Sequence, residues 1–429
     1  MEPGARPAKR RPAMSDAATE FPLAMLADDV TGGCDAGVQF SLRGAATRVY
    51  LELPQQPAAF AGVSVIVNHS RGEVPGEASR KVEQACDWIA ASGAKLCFKK
   101  IDSTLKGNVG PELEAIRNKF PDRLILVSPS FPSMERILLD GWLRVRSSEG
   151  IEPIHLLSLL RSQGVRRLTH IPRPAGASDT LVERIQHAQA AGARIIVIDA
   201  VSESQLRAIA EAAVQIAPQP LLVGSAGLAA HWSELLLKAG NSGASETTES
   251  AGLVSPVSDA SAAVSPAGPV VLCIGSTNAV TCQQLQRLAD TQSVLTFDWR
   301  RHDPDHALAA LARGCHLAVP IQRDSVQPEN LLRLFSAIVE RSRVRGLLCS
   351  GGDTARLVCT ALEVQAIQLG GEVLHGLPWG TLSGGPANGL PICTKAGGFG
   401  NPDALCEAVS FLAAQPRPME NRQENHGDC

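Results

Sequence analysis

The sequence predicts an α/β protein of two domains, each a mostly parallel sheet with helices on both faces. Three observations carry that expectation. Short Val/Ile/Leu runs ("VSVIVN", "RLILVSP", "ARIIVIDA", "PLLVG") alternate with stretches of helical spacing such as "SESQLRAIAEAAVQI". Strands that are apolar on both faces and separated by helices belong to parallel sheets covered on each side. The alternation stops at residues 241–267, "NSGASETTESAGLVSPVSDASAAVSPA", and restarts at "PVVLCIGS". A length of 429 residues also exceeds the usual size of one domain.

In chain order, residues 1–21 read as a disordered tail. They are basic and Pro-rich, lack the apolar stretch of a secretion signal, and leave both Met1 and Met14 as candidate starts. Residues 22–240 form the first domain. Residues 241–267 lack periodicity and bury too little apolar surface to offset their ordering entropy, so they read as a flexible linker or loop. Residues 268–415 form the second domain, and 416–429 a second tail.

Composition narrows the function. A formal charge of −3 gives no reason to expect nucleic acid or an anionic membrane as partner, and aromatic residues at 4% are too few for a base-stacking platform. No apolar run reaches the roughly 18 residues of a membrane helix. The 11 cysteines include no CxxC pair, and Cys97, Cys273, Cys349 and Cys393 fall in apolar strand-like runs. They read as small core residues in a reducing, cytoplasmic setting.

Chemistry concentrates at strand ends. In the second domain, "VVLCIGSTNAV", "GLLCSGGDTAR" and "KAGGFGNPDAL" each pass from an apolar strand into a Gly/Ser turn and on towards a helix. Small residues let an anion approach the backbone, and a helix start offers unpaired N–H groups. Three such turns, one beside Lys395, suggest a phosphate cradle, although no GxxxxGK[ST] loop is present. In the first domain, Asp28 and Asp29 follow the first strand. "NHSR" adds Asn68, Ser70 and Arg71. "KKIDSTLKGN" adds Lys99, Lys100, Asp102, Ser103, Thr104, Lys106 and Asn108, and "SPSFPSMER" adds Ser128, Ser130 and Arg136. Cations, acids and hydroxyls together suit a small polar anion, whereas any one segment could equally be ordinary loop capping. His302 and His306 have zinc-like spacing, yet Asp303 as N-cap with Pro304 behind it explains the same letters as a helix start.

In order along residues 22–412, "LADDVTGGCDAG", "NHSR", "KKIDSTLKGNVGPEL", "SPSFP" with Arg136 and "DG", "VGSAGLA", "SGGDTA", "GEVLHGLPWG" and "TKAGGFGNPDAL" resemble the four-carbon acid sugar kinases. That family includes D-threonate, D-erythronate and 3-oxotetronate kinases, and the "TKAGGFG" ending looks most like the threonate branch. The resemblance implies sugar-acid contacts at Asp29, Arg71, Lys100, Asp102 and Ser103. It implies nucleotide contacts at Ser276, Gly351, Gly352, Asp353, Thr354, Gly397 and Gly398, with ATP and Mg²⁺ as cofactors. Asp29 is the first candidate for the proton acceptor and Asp353 its rival, while Asp28 is expected to turn away and cap the next turn. A non-catalytic sugar-acid binder of the same fold is the alternative, and a homodimer the candidate assembly. The chain departs from the family after Trp142, where its segment is shorter, and at Glu135, where a Gly often precedes the Arg.

Overall fold

A computed structural model describes residues 22–56, 62–145, 152–172, 178–240, 267–321 and 328–416. The two tails and nearly all of the expected linker lie outside these residues.

The first half runs β1 (Leu23–Ala27), α1 (Val30–Ser41), β2 (Thr47–Tyr50), β3 (Val63–Val67), α2 (Pro75–Ala91), β4 (Lys95–Lys100), α3 (Val109–Lys119) and β5 (Ile125–Ser128). It continues through β6 (Arg136–Leu139), β7 (Trp142–Val145), β8 (Ile154–His155), α4 (Leu156–Ser162), β9 (Leu168–Ile171) and α5 (Ser178–Ala190). It closes with β10 (Ile195–Ile198), α6 (Glu203–Gln215), β11 (Leu221–Gly224) and α7 (Ala226–Gly240). The second half runs β12 (Val270–Ile274), α8 (Ala279–Thr291), β13 (Val294–Thr296), α9 (Pro304–Ala312), β14 (His316–Pro320) and α10 (Pro328–Arg341). It ends with β15 (Gly346–Ser350), α11 (Gly352–Ala361), β16 (Ala366–Leu374), β17 (Leu377–Ser383), β18 (Pro391–Lys395) and α12 (Ala404–Ala414).

Each half is α/β and mostly parallel, but the two sheets are not separate. They join into one 15-stranded sheet in the order β13-β14-β12-β15-β18-β17-β16-β2-β3-β1-β4-β11-β5-β10-β9. The seam is antiparallel, with Tyr50 opposite Ala366, Val49 opposite Ile367 and Arg48 opposite Gln368. An edge strand leaves a row of backbone N–H and C=O groups unpaired, and here each half covers the other's edge. A small sheet of β6, β7 and β8 sits apart from the main one.

The core is continuous through the seam. One buried cluster takes Cys34, Phe40 and Val49 from the first half and Ala355, Val358, Ile367 and Leu369 from the second. Helix α1 is central to it and is buried from Val30 to Phe40. A helix enclosed on all sides needs small residues where neighbours press close. A Cβ on Gly37 would lie 3.0 Å from both Leu369 Cδ1 and Val65 Cγ2. Cys97, Cys273, Cys349 and Cys393 are free and buried, as expected of core residues.

Register places the chemistry-bearing loops. Ala27 at the end of β1 pairs with Val67 and Lys100, so the loops after β1, β3 and β4 emerge side by side. Ser350 at the end of β15 pairs with Ile274 and Lys395, so the loops after β12, β15 and β18 do the same. Because the seam reverses strand direction, these two loop sets meet through the packing of α1 on α11 rather than along one sheet edge. Asp303 caps α9 by accepting from Asp305 N at 3.0 Å, with Pro304 in the first turn, so the His302/His306 pair belongs to a helix start. Their rings stack 5.1 Å apart.

Candidate functional site at the junction of the two halves

Asp28, Asp29 and Arg71 form one ionic group. Arg71 donates from Nε and Nη2 to Asp28 at 2.8 and 2.9 Å, and from Nη1 to Asp29 at 2.6 Å. The planar guanidinium fork suits a bidentate carboxylate. Asp28 therefore does not turn away into a cap. The cap of α1 is Asp29, whose Oδ1 accepts from Gly32 N at 2.7 Å while Oδ2 accepts from Thr31 Oγ1 at 3.0 Å. The two carboxyls respond differently to this enclosure. Burial drives Asp28 up, but Arg71, Lys99 and Lys100 outweigh it and hold the group at about 2. For Asp29 burial prevails and the carboxyl is raised, with the charge of Asp28 adding and Arg71 and Lys100 opposing.

A second layer fixes the Ser70–Arg71 turn. Asn108 Nδ2 donates to Ser70 O at 3.0 Å and to Glu73 O at 2.7 Å. The Ser70 hydroxyl donates to Glu112, which forms a fully enclosed ion pair with Lys99 at 2.7 Å. Lys99, Ser70 and Asn108 thus act as supports. Glu112 was not singled out from sequence, because an acid in a helix looks solvated until its face is known to be inward. Lys100 Nζ donates to Ile101 O at 3.1 Å and would lie 3.1 Å from a Cβ on Gly32, beside the Asp29 cap. Asp102 accepts from Thr104 Oγ1 at 2.5 Å and from Lys106 N at 3.2 Å, the local turn-capping arrangement. Ser103 is buried in the same loop.

Across the junction the Gly/Ser turns converge. A Cβ on Gly275 would strike Thr354 Oγ1 at 1.9 Å, and one on Gly397 would strike Ser276 Oγ at 2.2 Å. Gly351, at φ 110°, donates its N–H to Lys395 O at 2.9 Å. Ser276, Gly351, Thr354 and Gly397 are thereby brought together, with Gly398 against Asn278. Lys395 is enclosed and donates to Thr281 Oγ1, Ala396 O and Gly397 O at 3.1, 3.2 and 3.0 Å, so it stiffens this loop. Burial pushes its ammonium group down to about 8. The three turns are not equivalent. Asn278 caps α8, and α12 starts at Ala404, well beyond Gly398, whereas α11 starts on the turn residue Gly351 itself with no side-chain cap. Its first N–H groups fit a phosphate.

The two halves touch at their chemistry. A Cβ on Gly352 would lie 2.1 Å from Asp29 Oδ2. Asp28, Asp29, Arg71, Gly352, Asp353 and Arg356 line one open cleft there, with His69, Gly72 and Glu73 at its side. Asp35, one and a half turns into α1, escaped the sequence reading. It is buried, its Oδ1 has no hydrogen-bond partner, and burial with the nearby Glu372 raises its carboxyl to about 6 against Lys100, His375 and Arg136. The signal available was a lone acid within an otherwise apolar and glycine-rich helix.

Family models described as a sugar-binding N-terminal domain and a nucleotide-binding C-terminal domain match residues 23–232 and 316–405. A D-threonate kinase of Salmonella typhimurium is 30% identical over 91% of this chain and 98% of its own length. A D-erythronate kinase of Heliobacterium modesticaldum is 28% identical over 91% of this chain and 97% of its own. The fold is shared with a Haemophilus influenzae protein of known crystal structure, at a TM-score of 0.66 and 21% identity over 91% of this chain and all of that one. With identity sustained along nearly the full length of both chains, the protein belongs to the four-carbon acid sugar kinase family and is itself a kinase.

Proposed function

We propose that this kinase transfers the γ-phosphoryl group of ATP to the terminal 4-hydroxyl of a four-carbon sugar acid. D-threonate is the first substrate to test, with D-erythronate and 3-oxotetronate as the alternatives. The observation that carries the reading is the contact of Asp29 with Gly352, which sets a carboxylate of the sugar-binding half against the uncapped start of α11. Phosphoryl transfer needs an acceptor hydroxyl in line with a held phosphate and a group to take its proton.

Arg71 and Lys100 would hold the substrate carboxylate. Arg71 commits three N–H groups to Asp28 and Asp29, is 27% exposed towards the cleft, and keeps two N–H groups for a ligand. Asp102 and Ser103 would contact the sugar-acid hydroxyls. Asp29 would accept the hydroxyl proton, its raised carboxyl favouring that role, with Asp353 on the same cleft as the rival. Ser276, Gly351, Thr354, Gly397 and Gly398 would take the nucleotide phosphates. Among the described residues no three His, Cys, Asp or Glu side chains cluster around a metal position. Mg²⁺ would therefore be carried chiefly by phosphate oxygens and water, as this ion prefers, and would supply charge neutralisation.

ATP turnover over a panel of threonate, erythronate and 3-oxotetronate isomers tests the reading. D-threonate is expected to give the highest kcat/KM, and an absence of turnover with every four-carbon acid would overturn it. Asp29→Asn should lower kcat by about 10²–10⁴-fold with substrate affinity retained. Near-normal turnover in a folded Asp29→Asn, together with a large loss in Asp353→Asn, would move the base to Asp353.

A further inference from the structure

Among the described residues the Arg136 guanidinium leaves buried donors without an acceptor. The residue is 8% exposed, and its Nε and Nη1 are buried without a hydrogen-bond partner. Among the described residues its side chain is held by stacking, with Cζ 4.7 Å from the centroid of the Phe399 ring. Burying a cation whose donors lack acceptors is costly, and a ligand that accepts from them is one explanation for such a group.

Its position names the ligand. Arg136 belongs to the sugar-binding half, at the start of β6, directly after Glu135, which adopts a left-handed φ of 58°. Yet the side chain lies over the nucleotide-binding half. A Cβ on Gly398 would be 3.9 Å from Arg136 Nη2, and Phe399 is the next residue. Phe131 packs edge-on to both Phe399 and His375, closing the apolar side. The carboxylates whose charges act on Arg136 are Asp102 and Asp35, both of the sugar-binding half. One buried cation thus stands between the loop assigned to the sugar acid and the loop assigned to the nucleotide phosphates.

We propose that Arg136 is a catalytic residue that donates hydrogen bonds to the phosphoryl group while it passes from nucleotide to sugar acid. The proposal rests on the phosphoryl-transfer reading above. As the acceptor oxygen bonds to the γ-phosphorus, the bond to the β,γ-bridging oxygen breaks and ADP leaves with that electron pair. The hydroxyl proton goes to the base. Arg136 is unchanged by the step. Its fork matches two equatorial oxygens of the phosphoryl group in flight, where it stabilises the charge they carry as the group passes between donor and acceptor. An arginine supplied from one half would in this way act on a nucleotide held by the other.

The test uses Arg136→Met, which keeps a long side chain against Phe399, and Arg136→Ala. Arg136→Met should unfold in urea at the same concentration as the wild type or higher, because no hydrogen bond is lost. On the best substrate of the panel, kcat should fall roughly 10³-fold or more in both variants, with each KM within about threefold. Added guanidinium ion should restore part of the rate to Arg136→Ala but not to Arg136→Met, where the space is filled. A kcat within fivefold of wild type, a loss confined to KM, or no rescue in folded Arg136→Ala would overturn the assignment. If the wild type phosphorylates no member of the panel, the substrate reading fails separately and ADP titration still decides Arg136. Aluminium fluoride, which mimics the phosphoryl group in flight, should tighten ADP binding to the wild type and not to Arg136→Met. Equal tightening in both, or none in the wild type, would refute it.

Discussion

At the scale of single residues, the junction holds carboxylates of opposite electrostatic fate. Asp28 is held at about 2 by cations that outweigh its burial, and Asp35 is raised to about 6 because burial outweighs them. A raised folded value means that protonation favours the fold. The contribution of Asp35 is full below its ordinary value of 3.8 and is lost as pH rises through about 6. Asp35→Asn removes that penalty and should stabilise the protein at pH 8 by roughly 1–3 kcal/mol. The gain should hold down to about pH 6 and shrink from there towards pH 4.5. Asp28 behaves in the reverse sense, with a contribution present above 3.8 and lost only as pH falls through about 2. It therefore leaves the pH 4.5–8 comparison almost untouched. Urea unfolding of both proteins across that range checks the sign, and a gain that does not vary with pH would show that the Asp35 charge carries no burial penalty.

At the scale of elements, the contact between α1 and α11 leaves Gly352 no room for a side chain. Helix propensity alone favours alanine over glycine by about 1 kcal/mol inside a helix. At Gly352 the new Cβ would sit 2.1 Å from Asp29 Oδ2, so α11 must shift or Asp29 must leave its cap. Gly352→Ala should cost about 1–3 kcal/mol and lower kcat/KM at least tenfold. Gly76→Ala, in α2, serves as the control, because nothing lies within 4 Å of its Cβ. That change should be neutral or stabilising. Equal stability effects at the two positions, by thermal unfolding, would mean that α11 does not bear on Asp29. Much at this scale was legible in the sequence. The turns "ADDVTGG", "NHSR", "SGGDT" and "AGGFG" could be read as strand-end loops, because an apolar run, a turn and a helix start are local patterns. That Asn278 caps α8 while α11 starts on Gly351 without a side-chain cap could not be read, since Asn278 looks no different in the sequence from any other loop polar residue.

For the whole molecule, a single sheet crosses the junction, with β2 paired to β16 and α1 packed on α11 in one continuous apolar cluster. Two halves joined in this way should not depend on the chain between them. If a protease site is inserted between residues 241 and 266 and cut, the two fragments should co-elute on gel filtration at micromolar concentration. Separation of the fragments would mean that the covalent link, not the seam, holds them. No helix among the described residues is long and apolar enough to cross a membrane.

By itself the sequence determined the α/β class and the position of its polar loops at strand ends. These follow from periodicity and turn chemistry within some ten to twenty residues, and physical forces at that range are set by neighbours in the chain. Only the tertiary structure decided which charges meet. It paired Arg71 with both Asp28 and Asp29, placed Gly352 against Asp29, fused two sheets at an antiparallel seam, and left Asp35 and Arg136 enclosed with unpaired polar atoms. Burial and Coulomb interactions depend on distance in space, and residues more than 300 positions apart become neighbours only when the chain has folded.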